Sequence, residues 1–207
     1  MACLRILWVV VFVILSGPGF PSPQNGETPR TDSLDSPDAH AAAKVVADYY
    51  HARDHFLLGK AKSLQATDMV IVDANGGRHT VDSGFLSSFM GYEKAMHGHW
   101  HCRALSFRDG LLEAEIMEEN DYYSLLGSGK RIEIERFRVS GGQIHEIIGV
   151  SRHFTGREED STYHEFIAWL LQLPASERQG VLHDGKLVFD ADGASRQLPL
   201  LKRFHAR

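Results

Sequence analysis

Cysteine is nearly missing from this 207-residue chain, which has only Cys3 and Cys102. With Cys3 inside an N-terminal apolar segment, no disulfide framework can form, and stability has to come from packing. A basic surplus is missing as well. Lys and Arg number 22 against 27 Asp and Glu, for a net charge of −5. Without a basic cluster, nucleic acid is excluded as the main partner. No apolar run reaches the length of about 20 residues that a membrane span needs. No Gly-x-Ser-x-Gly, no phosphate-cradling glycine loop and no Cys with a companion His is present, so the sequence calls for no cofactor. What the chain does have is a hydrophobic fraction of 43%, enough to bury a real core.

Residues 1–19 have the order of an export signal: Arg5, the apolar run Ile6 to Leu15, then Ser16-Gly17-Pro18-Gly19. The expectation is an exported protein, periplasmic or extracellular, with no stable span once the signal is removed. The alternative is a membrane tether formed by an uncleaved N-terminal segment. Residues 20–36 are rich in Pro, Ser, Thr and Asp and read as a disordered linker.

Ser36-Pro37-Asp38 is a helix start, with a hydroxyl cap, Pro in the first turn and an acid at the positive end of the dipole. Val45, Val46, Tyr49 and Tyr50 recur at helical spacing, predicting a helix from Asp38 to about Arg53. A shorter helix is expected over Phe56 to Gln65, a strand over Met69 to Val72 and a returning strand at Arg78 to Val81. A helix capped by Asp82 or Ser83 should then carry Phe85, Leu86, Phe89 and Met90.

Two hairpins follow. His101 to Phe107 and Leu112 to Asn120 flank Asp109-Gly110, a turn pair that supplies positive φ cheaply. Arg131 to Val139 and Gln143 to Val150 flank Ser140-Gly141-Gly142. Leu112, Ala114 and Ile116 alternate with Glu113 and Glu115, so one face of the sheet needs covering by helices. Beyond a polar segment, Thr162 to Glu165 has capping-box form ahead of a helix with Tyr163, Phe166, Ile167 and Leu170, stopped by Pro174. A helical turn at Ala175 to Gln179, a strand at Lys186 to Phe189 and a last helix capped by Asp192 complete the chain.

This order resembles the nuclear transport factor 2-like superfamily, which includes SnoaL-like polyketide cyclases and ketosteroid isomerases. Ala47-Asp48-Tyr49-Tyr50 is similar to its first helix. Ala66 to Gly76 is similar to its passage from second helix to first strand, and Arg136 to Ile147 to its final hairpin. The resemblance covers about Asp38 to Val150. It implies an α+β fold: N-terminal helices packed on a long curved antiparallel sheet forming a cone, with a helical C-terminal extension. The expected organisation is a cone domain at 37–155 and an extension at 156–207 packed on it.

The resemblance also implies a site. Asp73 stands where the isomerases hold a carboxylate base, and Tyr49 where they hold an oxyanion donor. The second donor would fall near Ile134, which cannot donate; Glu133 and Glu135 alternate to the opposite face, leaving the set incomplete. The plainer reading of Asp73 is a cap on the Ala74-Gly77 turn. Tyr49 likewise reads more plainly as core than as catalyst. Walls of a ligand-holding cone are expected from Phe89, Trp100, Tyr122 and Phe137.

His97, His99 and His101 alternate and would share a strand face, as in a zinc site with an open position. The competing reading is a helix end with His97 at the negative dipole and Gly98 as cap, and no metal is expected. Glu118-Glu119-Asn120-Asp121 reads as a solvated loop or a cone-mouth acid cluster, and Cys102 as buried and inert. Three functions remain open: a cone enclosing a small apolar ligand, an isomerase or cyclase with Asp73 as base, or a structural module with a filled cone. A homodimer through the sheet is an expected partner arrangement.

Overall fold

The computed structural model describes residues 34–73 and 76–207. The expected export signal and most of the expected linker therefore lie outside the described residues, as does part of the turn after Asp73. Among the described residues, no helix is long and apolar enough to cross a membrane.

Helix α1 (Pro37–Asp54) starts where the Ser36 hydroxyl accepts from the Ala39 amide at 3.1 Å. Ala39, Ala42, Val46, Tyr49, Tyr50 and Arg53 recur at helical spacing and make its buried face. Its far end is pinned by Asp54, whose Oδ1 accepts from the Trp100 amide at 2.9 Å. Short α2 (Leu58–Ser63) leads into β1 (Gln65–Val72), and β2 (Arg78–Thr80) pairs back on it. Helix α3 (Ser83–Ala95) is capped by Asp82, which accepts from the Phe85 amide at 2.6 Å.

The two long hairpins are β3 (His99–Arg108) with β4 (Leu111–Glu119), and β5 (Arg131–Ser140) with β6 (Gln143–Phe154). Asp109 and Gly110 both take positive φ, 52° and 73°, as the tight turn requires. The six strands run in the order β2-β1-β6-β5-β4-β3. The sheet is not wholly antiparallel, because β1 joins β6 in parallel.

Register breaks curve this sheet. Each inserts one unpaired residue: Leu105 in β3, and His145 and Val150 in β6. A bulge bends its strand and flips the face of everything beyond it. Leu105 and Val150 are consequently among the few large hydrophobic residues left exposed. Beyond Val150 the flip turns Arg152 and Phe154 onto the face of their partners Glu133 and Arg131.

The fold is α+β, with helices covering one side of a curved sheet and a helical extension behind it. One core lies within the cone, with Phe137, Leu112, Ile144 and Val46 fully buried against Tyr49 and Tyr50. A second core joins α3 to the C-terminal elements. The stretch after Asn120, read from sequence as a loop, is helix α4 (Asp121–Leu126), because the Asn120 side chain accepts from the Tyr123 amide and caps it. Helix α5 (Glu159–Gln172) starts a turn before the expected capping box, and Thr162 instead pairs its hydroxyl with Ser128 at 3.0 Å. After α6 (Ala175–Arg178) and the small β7 (Leu182–His183) and β8 (Lys186–Leu187) pair comes α7 (Ala191–His205). Its cap is Asp190 rather than Asp192, accepting from the Gly193 amide at 2.7 Å. Buried Gln197 ties α7 to α3 by accepting from the Tyr92 hydroxyl at 3.2 Å.

Candidate functional site

The inner face of the sheet can be read row by row from the strand register. At one end Phe107, Leu112, Phe137 and Ile147 lie side by side; next come Ala104, Ala114, Glu135 and Gly149. Then come Cys102, Ile116, Glu133 and Arg152, and finally Trp100, Glu118, Arg131 and Phe154. The interior is thus apolar at the hairpin tips and charged at the opposite end. Helices α1 and α3 add Tyr49, Tyr50, Arg53 and Glu93 to that charged end.

The expectation for β5 is corrected here. Glu133 and Glu135 do oppose Ile134, but theirs is the inner face, shared with fully buried Phe137 by strand alternation. The charges pair in sets. Arg53 forms a buried ion pair with Glu93, and its guanidinium lies 3.9 Å from the centre of the Trp100 ring. Arg131 Nη2 bridges two acids, at 2.7 Å from Glu118 Oε2 and 3.2 Å from Glu133 Oε2. Glu118 Oε1 accepts from Asn120 Nδ2 at 2.6 Å, tying the α4 cap to the cluster. The Tyr50 hydroxyl donates to Glu135 Oε2 at 2.7 Å.

Burial sets the protonation of this cluster. It pushes the Glu135 carboxyl up to about 7, with Glu133 adding to the rise and the Tyr50 hydrogen bond, Arg131 and Arg53 opposing it. Burial likewise raises Glu93 to about 7 against the pull of Arg53, and raises Glu118 against Arg131. The Tyr49 and Tyr50 hydroxyls are raised by the same burial. Cys102 is pushed up to about 12 by burial and by Glu135, so it stays a thiol and no nucleophile.

The residues singled out from sequence separate into different neighbourhoods. Phe89, Trp100 and Tyr49 surround Arg53, with ring centres 5.4, 3.9 and 5.8 Å from its guanidinium carbon. Phe137 packs edge-on to Tyr50 at 6.1 Å. Tyr122 lies on α4 in the second core, while its neighbour Tyr123 is the one that meets Arg131, at 5.6 Å. Asp73 ends β1 in the turn, where its Oδ1 accepts from the Gly77 amide at 2.8 Å and Oδ2 lies 3.2 Å from His79 Nε2. Asp73→Asn should therefore change stability by under about 1 kcal/mol in urea unfolding at neutral pH, since Asn keeps the turn acceptor. A change several times larger would give Asp73 work beyond the turn.

The histidines part company too. His97 takes the positive φ of 52° after α3 and its Nδ1 lies 2.8 Å from Asp121, whereas His99 Nδ1 lies 3.3 Å from Asp54. Gly98 is needed for proximity rather than for φ: a Cβ there would stand 3.2 Å from the Glu93 carbonyl oxygen. Among the described residues, no group of three His, Cys, Asp or Glu is arranged to hold a metal ion. Two surface grooves lie elsewhere. One of about 520 Å³ is lined by Leu171, Arg178 and Leu182; one of about 330 Å³ lies between α1 and the hairpin tips.

No protein-family model matches the chain, and no curated protein matches it. Similar solved structures include a nuclear transport factor 2-like protein from Burkholderia xenovorans, at 11% identity and a TM-score of 0.41 over 54% of this chain and 88% of that one. A candidate ketosteroid isomerase from Kribbella flavida is 10% identical, at a TM-score of 0.42 over 73% of this chain and 94% of that one. An epoxide hydrolase-like protein of Mycobacterium tuberculosis is 12% identical, at a TM-score of 0.42 over 56% and 81%.

Proposed function

We propose that the charged end of the cone is an acid–base active site acting on a small, uncharged polar substrate. The observation that carries this reading is the 2.7 Å contact from the Tyr50 hydroxyl to a Glu135 carboxyl raised to about 7. A carboxyl near neutrality can both take and return a proton, which is what general acid–base catalysis asks of one group. Tyr50 orients it, and Arg131, held between Glu118 and Glu133, is the fixed positive charge beside developing negative charge. In this reading the base is Glu135 rather than Asp73, and the ligand is polar rather than apolar. Glutamates on one side and guanidiniums on the other disfavour any substrate with a full charge. Export, read from residues 1–19, belongs to the same proposal. So does pairing of two chains through the outer sheet face, supported by the half-buried Met117, Ile132, Ile134 and Ile148 on that face.

A filled cone with a purely structural role is the second reading, favoured by the full burial of Phe137 and Leu112. Carbon-detected NMR titration of the Glu135 carboxyl separates the two. The expected midpoint is near 7, and it should rise further in Tyr50→Phe, because the lost hydrogen bond favoured the anion. Ring opening of 5-nitrobenzisoxazole, a probe of carboxylate bases, should follow the same midpoint and fall at least tenfold in Glu135→Gln. A midpoint at ordinary carboxylate values, or ring opening indifferent to Glu135, would favour the structural reading.

A further inference from the structure

The proton-transfer pair leaves the other half of the charged end unexplained. Three deeply buried polar atoms there make no hydrogen bond among the described residues: Arg53 Nε, Trp100 Nε1 and Glu93 Oε2. A fourth, Glu118 Oε2, sits 2.7 Å from Arg131 Nη2 but off the axis of a hydrogen bond. Their residues are between 1% and 6% exposed. Buried polar groups in folded proteins almost always have partners, so four such atoms in one neighbourhood point to something that bonds them.

The four residues form one chain of contacts. Arg53 pairs with Glu93, the Arg53 guanidinium stacks on Trp100, and Trp100 lies directly opposite Glu118 across β3 and β4. Two of the atoms are donors and two are acceptors. We infer that this cluster is a subsite for one neutral hydroxylic oxygen, supplied either by a bound water molecule or by an alcohol group of the substrate. A water oxygen accepts two hydrogen bonds and donates two, matching Trp100 and Arg53 as donors and Glu93 and Glu118 as acceptors. An alcohol accepts from both donors and donates its one proton to a single carboxylate, leaving the other to Arg131 or Asn120 where that one is Glu118. A carboxylate or phosphate would bring only acceptors against two glutamates. An ammonium would bring only donors against a guanidinium and an indole N–H. A buried water with three or four protein partners is an ordinary structural element, and a hydroxyl group fits the same place with three of the four. The subsite uses neither Glu135 nor Tyr50, and it stands whether or not the proton-transfer pair does; only the alcohol source rests on the acid–base reading.

The indole N–H of Trp100 is the reporter. Nitrogen-15 spectra of the full chain carrying Trp8→Phe and Trp169→Phe leave its signal alone, without altering Trp100 itself. Rotating-frame cross-relaxation to water, whose sign separates a bound molecule from proton exchange, should detect a long-lived water at the indole. Ethylene glycol is then titrated in as a simple hydroxyl probe. A saturable indole shift with loss of the water signal identifies a substrate-hydroxyl subsite. A persistent water signal with no response to the glycol identifies a resident water. Either outcome supports the subsite, and the Glu135 titration reports separately on the acid–base pair. No cross-relaxation and no glycol response would overturn the inference, because the indole would then be packed without a hydroxylic partner.

Discussion

Replacement of Arg53 by Met is expected to destabilise the protein by about 3–5 kcal/mol at neutral pH, the cost of stranding one member of a buried ion pair. Glu93 is 1% exposed and already feels Glu118, so without Arg53 its charge keeps only the weaker pull of Arg131. It can escape only by taking a proton, and the loss should shrink as pH falls. Trp100 would also lose the guanidinium stacked on its ring. The double variant Arg53→Met with Glu93→Leu removes both charges at once and should recover most of the loss, since a well-packed apolar pair often matches a buried ion pair. Urea unfolding of wild type, both single variants and the double variant gives the coupling directly. Additive single effects would show that the two charges are not a pair in solution.

The second large effect is pH dependent. The Glu135 carboxyl titrates at about 7 in the folded protein against 4.5 for an unperturbed glutamate. The folded state therefore holds this proton more tightly than the unfolded chain does. No penalty exists below 4.5; it grows as pH rises above that value and levels off once pH passes 7. At full size it is about 3 kcal/mol. Gln keeps an acceptor for Tyr50 and carries no charge, so Glu135→Gln should gain stability on the wild type across this window and hold the gain above it. Glu93 titrates in the same range but is present in both proteins, so it drops out of the difference. Unfolding at pH 4.5, 6 and 8 measures it; a difference that does not move with pH would mean that Glu135 is ionised and solvated throughout.

Much of the fold could be read from local signals. Ser36-Pro37, the Asp82 cap and Asp109-Gly110 each act over a few residues, and each marks the element it should. The bulges were hidden because nothing local distinguishes Leu105 or Val150 from the residues beside them, and each resets the alternation beyond it. The site was hidden for a different reason. In Arg131-Ile132-Glu133-Ile134-Glu135 the period-two rule assigns isoleucines to the core, yet the charged residues face inward. Their partners come from α1, α3 and β4, far away in sequence, so the pattern of β5 alone carries no trace of them. The one available clue was parity: Phe137, the aromatic residue of the strand, stands in step with Glu133 and Glu135. Asn120 is legible as a helix cap, but with Glu118, Glu119 and Asp121 around it the stretch reads as a solvated loop or acid cluster.

The parallel pairing of β1 with β6 has a consequence for the order of assembly. Gln65 lies opposite Ile144, roughly 80 residues further along the chain, whereas each hairpin closes across a turn of a few residues. The meander from β3 to β6 can zip from its own turns, but β1, paired locally only with the short β2, cannot join it until β6 exists. A nascent chain that has already made α1, α2 and β1 must therefore hold Tyr49, Tyr50 and Met69 without their final neighbours until most of the sheet is synthesised. The charged end of the cone, which needs Arg53 from the early part and Arg131 from the late part, is among the last contacts to close.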